Sequence, residues 1–272
     1  MKNNIITFCL ILIAISVSCK KEDLEGGTME NPFIPKLSKI MVDNESFKEY
    51  YYNELGLIRQ EQSKFDFTQH SYNEKGQLAS TDIYVNDDIL SSDLTIYETA
   101  MNQEIWVTPS SGSKSGVITY EYNESGQLVK SLTTRPSLEV IEFSEFNYNA
   151  QNRVSKQLMY WDNTATGYID YTYDNNGNLE TEILYNLGES GTAELVTTTT
   201  YAYDTAPNPF KVSCKSAIPG PNTNPNNIIR ETYTIHSESV QGSDREQVTE
   251  NTYEYNALGY PISKNTNVTY TY

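Results

Sequence analysis

The chain has 272 residues, with 36 acidic and 19 basic side chains, and a formal net charge of -17. A surface this acidic repels the phosphate backbone, so the composition argues against nucleic-acid binding. It also disfavours adsorption to anionic lipid headgroups, which leaves a covalent lipid as the expected route to a membrane.

The N-terminus predicts a lipoprotein signal peptide over residues 1–18. Lys2 supplies positive charge, residues 5–17 are apolar, and small residues precede Cys19. This junction resembles the bacterial lipobox, with Ser16 standing where Leu is commoner. The resemblance implies cleavage before Cys19 and lipid attachment to it. The alternative is an ordinary secretory signal with an incidental cysteine.

Residues 19–35 are polar and glycine-containing, which predicts a flexible acidic tether. Acidic residues behind the cysteine resemble the tag that sends some Gram-negative lipoproteins to the outer face of the outer membrane. We therefore expect a lipid-anchored protein of the outer membrane, exposed at the cell surface. A solvated linker without a sorting role is the alternative.

The three cysteines predict a fold without an intramolecular disulfide. Cys9 leaves with the signal peptide and Cys19 carries the lipid, so Cys214 has no partner in the mature chain. Cys214 shares one face of a strand-like stretch with Val212 and Ser216. This position favours a buried apolar cysteine over a nucleophile.

Residues 36–272 are dominated by one repeated turn, which predicts a single all-β domain. Asn or Asp at the first turn position and Gly at the fourth favour a type I turn, and the left-handed Gly then forms a bulge. In this geometry Tyr122 lies opposite Leu128, a cross-strand clasp that recurs along the chain. The six copies are Tyr52-Asn53-x-x-Gly56, Tyr72-Asn73-x-x-Gly76, Tyr122-Asn123-x-x-Gly126, Tyr148-Asn149-x-x-Asn152, Tyr173-Asp174-x-x-Gly177 and Tyr255-Asn256-x-x-Gly259.

A period of about 25 residues holds two strands and two turns. The sequence thus predicts an antiparallel up-and-down meander of roughly fourteen to eighteen strands, curled into a barrel or spiral because so many strands exceed a flat open sheet. Tyr201-Ala-Tyr-Asp204 and Tyr97 lie where decayed copies are expected. Pro261, two places after Gly259, predicts a strand that is partly unpaired.

The pattern Tyr-[Asn/Asp]-x-x-Gly-x-Leu resembles the YD repeat of the rearrangement hot-spot (Rhs) family, whose strands spiral into a large shell. The resemblance covers about residues 50–260, and no toxin domain follows the repeats. Together with the lipoprotein signal, the chain is similar to a family of small Gram-negative lipoproteins of unknown function, described as having a porin-like β fold. Because the strands mix Glu, Lys, Thr and Ser with tyrosine, we expect a tethered barrel or spiral rather than a membrane-inserted one.

The sequence offers little for catalysis, and we predict no enzyme activity, cofactor or metal. His70 replaces a repeat tyrosine and is expected to pack, and neither His70 nor His236 has the neighbours of a zinc site. Asp174 lies in the register of the repeat turn, so a turn role is favoured over a calcium loop. A pair of carboxylates for glycoside hydrolysis stays open among 36 acids, none of which is singled out.

Tyr160 and Trp161, beside a turn at Asp162-Asn163, are the predicted binding residues. Flat amphipathic rings near a loop suit stacking on a sugar or anchoring a protein. We therefore expect a non-catalytic β scaffold of the envelope that binds a glycan or a protein partner. The alternatives are a purely structural envelope component and a carboxylate-based glycoside hydrolase.

Overall fold

The computed structural model describes residues 35–88, 106–136, 139–211, 216–236 and 244–272, and Pro35–Tyr272 forms one unit. In this part of the chain seventeen strands and a short 3-10 helix, Pro221–Thr223, are present. The strands are β1 (Lys39–Val42), β2 (Glu45–Tyr52), β3 (Ile58–Ser63), β4 (Asp66–Tyr72), β5 (Leu78–Val85), β6 (Ser113–Tyr122), β7 (Leu128–Thr134), β8 (Glu142–Tyr148), β9 (Val154–Trp161), β10 (Thr164–Tyr173), β11 (Leu179–Leu187), β12 (Ala193–Pro207), β13 (Asn226–Ile235), β14 (Arg245–Glu250), β15 (Tyr253–Tyr255), β16 (Pro261–Lys264) and β17 (Val268–Thr271).

All seventeen strands belong to one antiparallel sheet, which confirms the predicted meander. Each strand pairs with the next along the chain from β1 to β14, and again from β15 to β17. The first strand also pairs with the last, with Lys39 opposite Thr271. Among the described residues β14 pairs only with β13 and β15 only with β16, so strand pairing does not close the sheet into a barrel. We call the junction between β14 and β15 the seam.

The repeated turns have the predicted type I geometry followed by a left-handed residue. In the second copy Gly76 donates its N–H to the Asn73 carbonyl at 2.9 Å, and Gly76 has a φ of 72°. The Asn73 side-chain oxygen accepts the N–H groups of Lys75 and Gln77 at 3.0 and 2.9 Å. Asn152, which replaces glycine in the fourth copy, also has a positive φ of 62°. Asn tolerates this conformation better than most residues, as predicted.

The predicted clasps are confirmed by the strand register. Tyr72 lies opposite Leu78, Tyr122 opposite Leu128 and Tyr173 opposite Leu179, each after a one-residue bulge. These leucines are buried, Leu128 and Leu179 being each 1% exposed. One face of the sheet therefore carries the apolar core, and we call it the core face; the opposite face is the solvent face.

The clasp tyrosines also connect neighbouring hairpins through their hydroxyl groups. The Tyr122 hydroxyl donates to the Leu78 carbonyl at 2.9 Å, and the Tyr148 hydroxyl donates to the Leu128 carbonyl at 2.9 Å. Leu78 and Leu128 are the strand partners of the preceding clasp tyrosines, Tyr72 and Tyr122. Each hydroxyl bond therefore joins one hairpin to the next. We call the whole set the tyrosine ladder, which comprises Tyr52, Tyr72, Tyr122, Tyr148, Tyr173, Tyr203, Tyr253 and Tyr272.

The repeat becomes irregular after β12. Tyr203, in the predicted decayed copy, keeps its place in the ladder by donating to the Leu179 carbonyl at 2.7 Å. The following turn is replaced by a longer segment, and its Phe210 packs edge-on against Tyr50 of β2 at 5.7 Å between ring centres. Pro261 begins β16 opposite Tyr255, but only Ser263 and Lys264 of this strand pair with β17. The strand is thus partly unpaired, as its proline predicts.

Candidate functional site

The two predicted binding residues project from opposite faces of β9. Tyr160 is paired with Phe143 and Trp161 with Glu142, and successive strand residues alternate between faces. The register places Gln157, opposite buried Phe146, on the core face. Trp161 therefore belongs to the core face and Tyr160 to the solvent face. Both residues nevertheless border the cavity described in the next paragraph.

Trp161 lies at the end of its strand, where the core face is open. The next two residues, Asp162 and Asn163, have φ values of 47° and 62°, the geometry of a two-residue hairpin turn. The indole remains 45% exposed. A cavity of about 370 Å³ borders it, and we call it the Trp161 cavity.

Polar groups line the Trp161 cavity beside the indole. Arg135 contacts Glu142 as a fork, with Nε to Oε1 at 3.1 Å and Nη2 to Oε2 at 3.2 Å. Ser131, Thr133 and Ser144 add hydroxyl groups to the lining. An exposed flat ring beside fixed hydrogen-bonding groups is an arrangement that suits a polyhydroxylated ligand. Among the described residues that line the cavity, Glu142 is the only carboxylate.

Tyr160 takes part in an aromatic stack on the solvent face. Its ring is parallel to Phe143 at 4.4 Å, and Lys130 Nζ lies 4.0 Å from the Phe143 ring centre. The Tyr160 hydroxyl donates to Glu145 Oε2 at 3.2 Å. Since ring stacking and a hydrogen bond already satisfy this side chain, it is held in one orientation and supports β8 and β9 from behind the Trp161 cavity.

A polar network on the core face was missed by sequence reasoning. His70 is placed between Glu61 and Thr81, with Nε2 at 3.3 Å from Glu61 Oε1 and Nδ1 at 2.9 Å from Thr81 Oγ1. Lys48 Nζ lies 3.0 Å from Glu61 Oε2 and 3.7 Å from Asp66 Oδ2. His70 therefore occupies the place of a repeat tyrosine, but its ring bonds to side chains on the two neighbouring strands, β3 and β5. The alternation of strand residues, counted from the Tyr72 clasp, would have put these groups on one face.

The charges in this network stabilise one another. Burial alone would raise the pKa of Glu61, but the hydrogen bond from His70 and the Lys48 charge lower it below the ordinary value. Burial likewise opposes the Lys48 charge, yet Glu61 and Asp66 raise the pKa of Lys48. Glu61 and Lys48 are thus both held in their ionised forms, which is typical of a structural ion pair.

The remaining predicted residues fall into three groups. Asp174 serves the turn: its Oδ1 accepts the Asn178 N–H at 2.8 Å, and its Oδ2 accepts the Asn178 side-chain amide at 2.9 Å. His236 Nδ1 lies 2.8 Å from Asp244 Oδ2. Cys19 and Cys214 lie outside the described residues, as do the signal peptide, the tether up to residue 34 and Tyr97.

Two further features are absent from the described residues. Groups of three or more His, Cys, Asp or Glu side chains placed to hold a metal ion do not occur there. Within the same ranges, no helix has the length and apolar character needed to cross a membrane.

The described residues define an all-β protein with one antiparallel sheet and an exposed tryptophan beside a polar cavity. No family model matches the chain, and no curated protein matches it. Solved structures do match. A porin-like protein from Bacteroides uniformis is 13% identical, with a TM-score of 0.38, covering 87% of this chain and 98% of that one. A porin-like protein from Bacteroides vulgatus is 10% identical, with a TM-score of 0.39 and the same coverage.

The TcdB2-TccC3 structure is 14% identical with a TM-score of 0.31, over 82% of this chain. This chain spans about a tenth of the length of that one. These TM-scores support no inference about what the protein binds.

Proposed function

We propose that the protein is a lipid-anchored cell-envelope protein whose β-sheet is a non-catalytic scaffold, and that it binds a glycan in the Trp161 cavity. The observation that carries the proposal is the half-exposed indole beside the Arg135–Glu142 fork. A sugar ring stacks its C–H face on the indole, and its hydroxyls bond to the fork and to neighbouring serine and threonine hydroxyls.

The scaffold is rigid where the site requires it. Phe143 and Tyr160 stack on the solvent face directly behind the cavity, which fixes the two strands that present Glu142 and Trp161. A binding group held by its own neighbours loses little side-chain entropy on binding. The N-terminal lipoprotein signal supports the envelope location, with lipid on Cys19 at the outer membrane and the sheet at the cell surface.

We also infer that the sheet rolls up, with the core face inside. Its two edge strands, β14 and β15, are joined by only Asn251 and Thr252. In a flat sheet of seventeen strands, spaced by about 4.8 Å, the two edges would lie about 77 Å apart, far beyond the reach of two residues. The contact of Phe210 with Tyr50, from segments many strands apart, supports the same arrangement.

A glycan array probed with the purified protein and with the Trp161→Ala variant tests the binding proposal. We expect the wild-type protein to bind one class of polysaccharide, and Trp161→Ala to lower the affinity about tenfold or more, because stacking on an aromatic ring is lost. Leu195→Ala is the matched control, since Leu195 is an exposed apolar residue remote from the cavity, 38% exposed on β12. Equal binding by Trp161→Ala, or selective capture of a protein instead of any glycan, would contradict the proposal.

Cell fractionation with mass spectrometry of the mature N-terminus tests the anchor. We expect an acylated N-terminal residue at position 19, and a Cys19→Ala variant that is no longer held in the outer-membrane fraction. An unmodified Cys19 in a membrane-free fraction would overturn this part of the proposal without affecting glycan binding.

A purely structural envelope role is the second candidate. It is favoured by the tyrosine ladder, in which eight tyrosines are committed to connecting hairpins and none is left to a ligand. Deletion of the gene followed by assays of envelope integrity separates the two candidates. Detergent sensitivity that Trp161→Ala fully complements would favour the structural role.

A further inference from the structure

The seam contains a second cavity, remote in sequence from the Trp161 cavity. It has a volume of about 240 Å³ and is bordered by β13 and β14 on one side and by β15, β16 and β17 on the other. We call it the seam cavity. Its volume is below the about 300 Å³ at which drug-sized pockets begin, so it suits a small molecule rather than a polymer.

Two opposite charges face the seam cavity without forming a direct ion pair. Glu231 of β13 and Lys264 of β16 both line it. Neither side chain has a hydrogen bond or salt bridge within the described ranges of the chain, although the ten ion pairs found there include lysines and glutamates elsewhere on the sheet. Partly buried charges without partners are costly, and a ligand that pairs with both removes that cost.

The pKa shifts of neighbouring residues are consistent with two charges that lack a close ion partner. Burial lowers the pKa of Lys264, and the Glu231 charge offsets this effect only in part. Burial and the charge of Glu231 also raise the pKa of Glu182. An anionic group beside Lys264 and a cationic group beside Glu231 would relieve both effects.

Three other polar side chains of the seam cavity are already bonded within the fold. Asn208 donates to the Pro221 carbonyl at 2.9 Å, Asn251 donates to the Ile228 carbonyl at 3.0 Å, and the Tyr253 hydroxyl donates to the Ile228 carbonyl at 3.0 Å. Phe210, Ile228 and Tyr270 contribute apolar surface to the wall, beside the polar side chains of Asn222 and Thr249.

We propose that the seam cavity binds a small zwitterion of the α-amino-acid type. The ligand carboxylate pairs with Lys264, its ammonium pairs with Glu231, and its apolar side chain packs against Phe210 and Tyr270. A purely anionic or cationic ligand would leave one of the two protein charges unpaired. A neutral sugar would leave both without an ion partner, which distinguishes this cavity from the Trp161 cavity.

Isothermal titration calorimetry with leucine and two blocked derivatives tests the proposal on the full chain. N-acetylleucine lacks the ammonium group and leucinamide lacks the carboxylate. We expect saturable binding of leucine and at least tenfold weaker binding of each derivative, because each loses one ion pair. Equal binding of all three compounds, no saturation by leucine, or binding of methyl glucoside alone would overturn the proposal.

Variants assign the two charges separately. Glu231→Gln should remove the preference for leucine over N-acetylleucine, and Lys264→Gln should remove the preference over leucinamide. Glu246→Gln is the matched control, since Glu246 is an exposed carboxylate of β14. If the site variants do not fold, judged by circular dichroism, the ligand series on the wild-type protein decides alone. Trp161→Ala should bind leucine normally, which keeps this test independent of glycan binding.

Discussion

The strands β2–β11 and the strands β12–β17 use the same turn motif with different outcomes. In the first region five copies of the turn follow one another, and their tyrosines reach from hairpin to hairpin. In the second region the ladder continues through Tyr203, Tyr253 and Tyr272, but β14 is exposed along its whole length and has no ladder to β15. The comparison shows that the tyrosine hydroxyl bonds continue where the turn is no longer regular. A cavity forms where the pairing of consecutive strands stops.

Alkaline pH should have the largest effect on stability, because it ionises the ladder tyrosines that both regions contain. Burial raises the pKa of Tyr122 and Tyr173 in the first region to about 12 each, and it also raises the pKa of Tyr272 in the second, whereas an unfolded tyrosine titrates near 10. Below about pH 10 the folded and unfolded forms are both protonated, so this stability is fully present there. It is lost as the pH rises through about 12. Circular dichroism should lose the β signal together with the last part of the phenolate absorbance change, near pH 12, and a β signal that persists after all tyrosines have ionised would contradict this.

Substituting one clasp leucine should show that the first region is more tightly packed than β14. Leu128 is 1% exposed in the core of the first region, so Leu128→Ala should lower the free energy of unfolding by about 2–5 kcal/mol. Val248, on exposed β14, is 41% exposed, and Val248→Ala should change it by less than about 0.5 kcal/mol. Urea unfolding of both variants measures the difference. Similar losses would show that β14 is as tightly packed as the regular strands.

Deleting one ladder hydroxyl tests the hairpin connections. Tyr173 donates to the Val154 carbonyl at 2.7 Å, so Tyr173→Phe should cost about 1–3 kcal/mol by leaving a carbonyl unpaired. Tyr168→Phe is the control, because Tyr168 stacks on Tyr185 on the solvent face and loses no such bond. Thermal unfolding of both variants gives the comparison, and an unchanged Tm for Tyr173→Phe would argue against an energetic role for the ladder.

The smallest effect concerns the turn glycine itself. Gly76 has a φ of 72°, and a Cβ there would meet only Leu57, at 4.0 Å, so Gly76→Ala isolates the backbone cost of about 1–2 kcal/mol. Gly220, in the irregular segment, has an extended φ of 169° and open space around it. Gly220→Ala should therefore leave stability nearly unchanged. Chemical denaturation of the two variants measures both effects on stability. Equal losses would mean that the positive φ at Gly76 carries no energetic cost.

Local features of this fold could be predicted from sequence because each depends on a few adjacent residues. The turn, the bulge, the Tyr122–Leu128 register and the left-handed Asn152 follow from turn chemistry and from the two-residue period of a strand. That period also places the side chains of Tyr160 and Trp161 on opposite faces of β9.

Long-range features could not be predicted in the same way. The pairing of β1 with β17 and the contact of Phe210 with Tyr50 join distant segments that share no motif. The meeting of Glu231 and Lys264 at the seam depends on where the ladder stops, which no local pattern indicates. Both cavities are therefore products of the assembled sheet.

The pairing of the first strand with the last also sets an order of events during folding. Most ladders join strands that follow each other within one or two turns, so they can form while the chain is still emerging. Lys39 and Thr271 are an exception, since β1 finds its second neighbour only after nearly the whole domain is available. Because closing so long a loop is entropically costly, we expect this ladder to form last. Until then the outer edge of β1 is unpaired, and the folding chain is most exposed to association with other strands at this step.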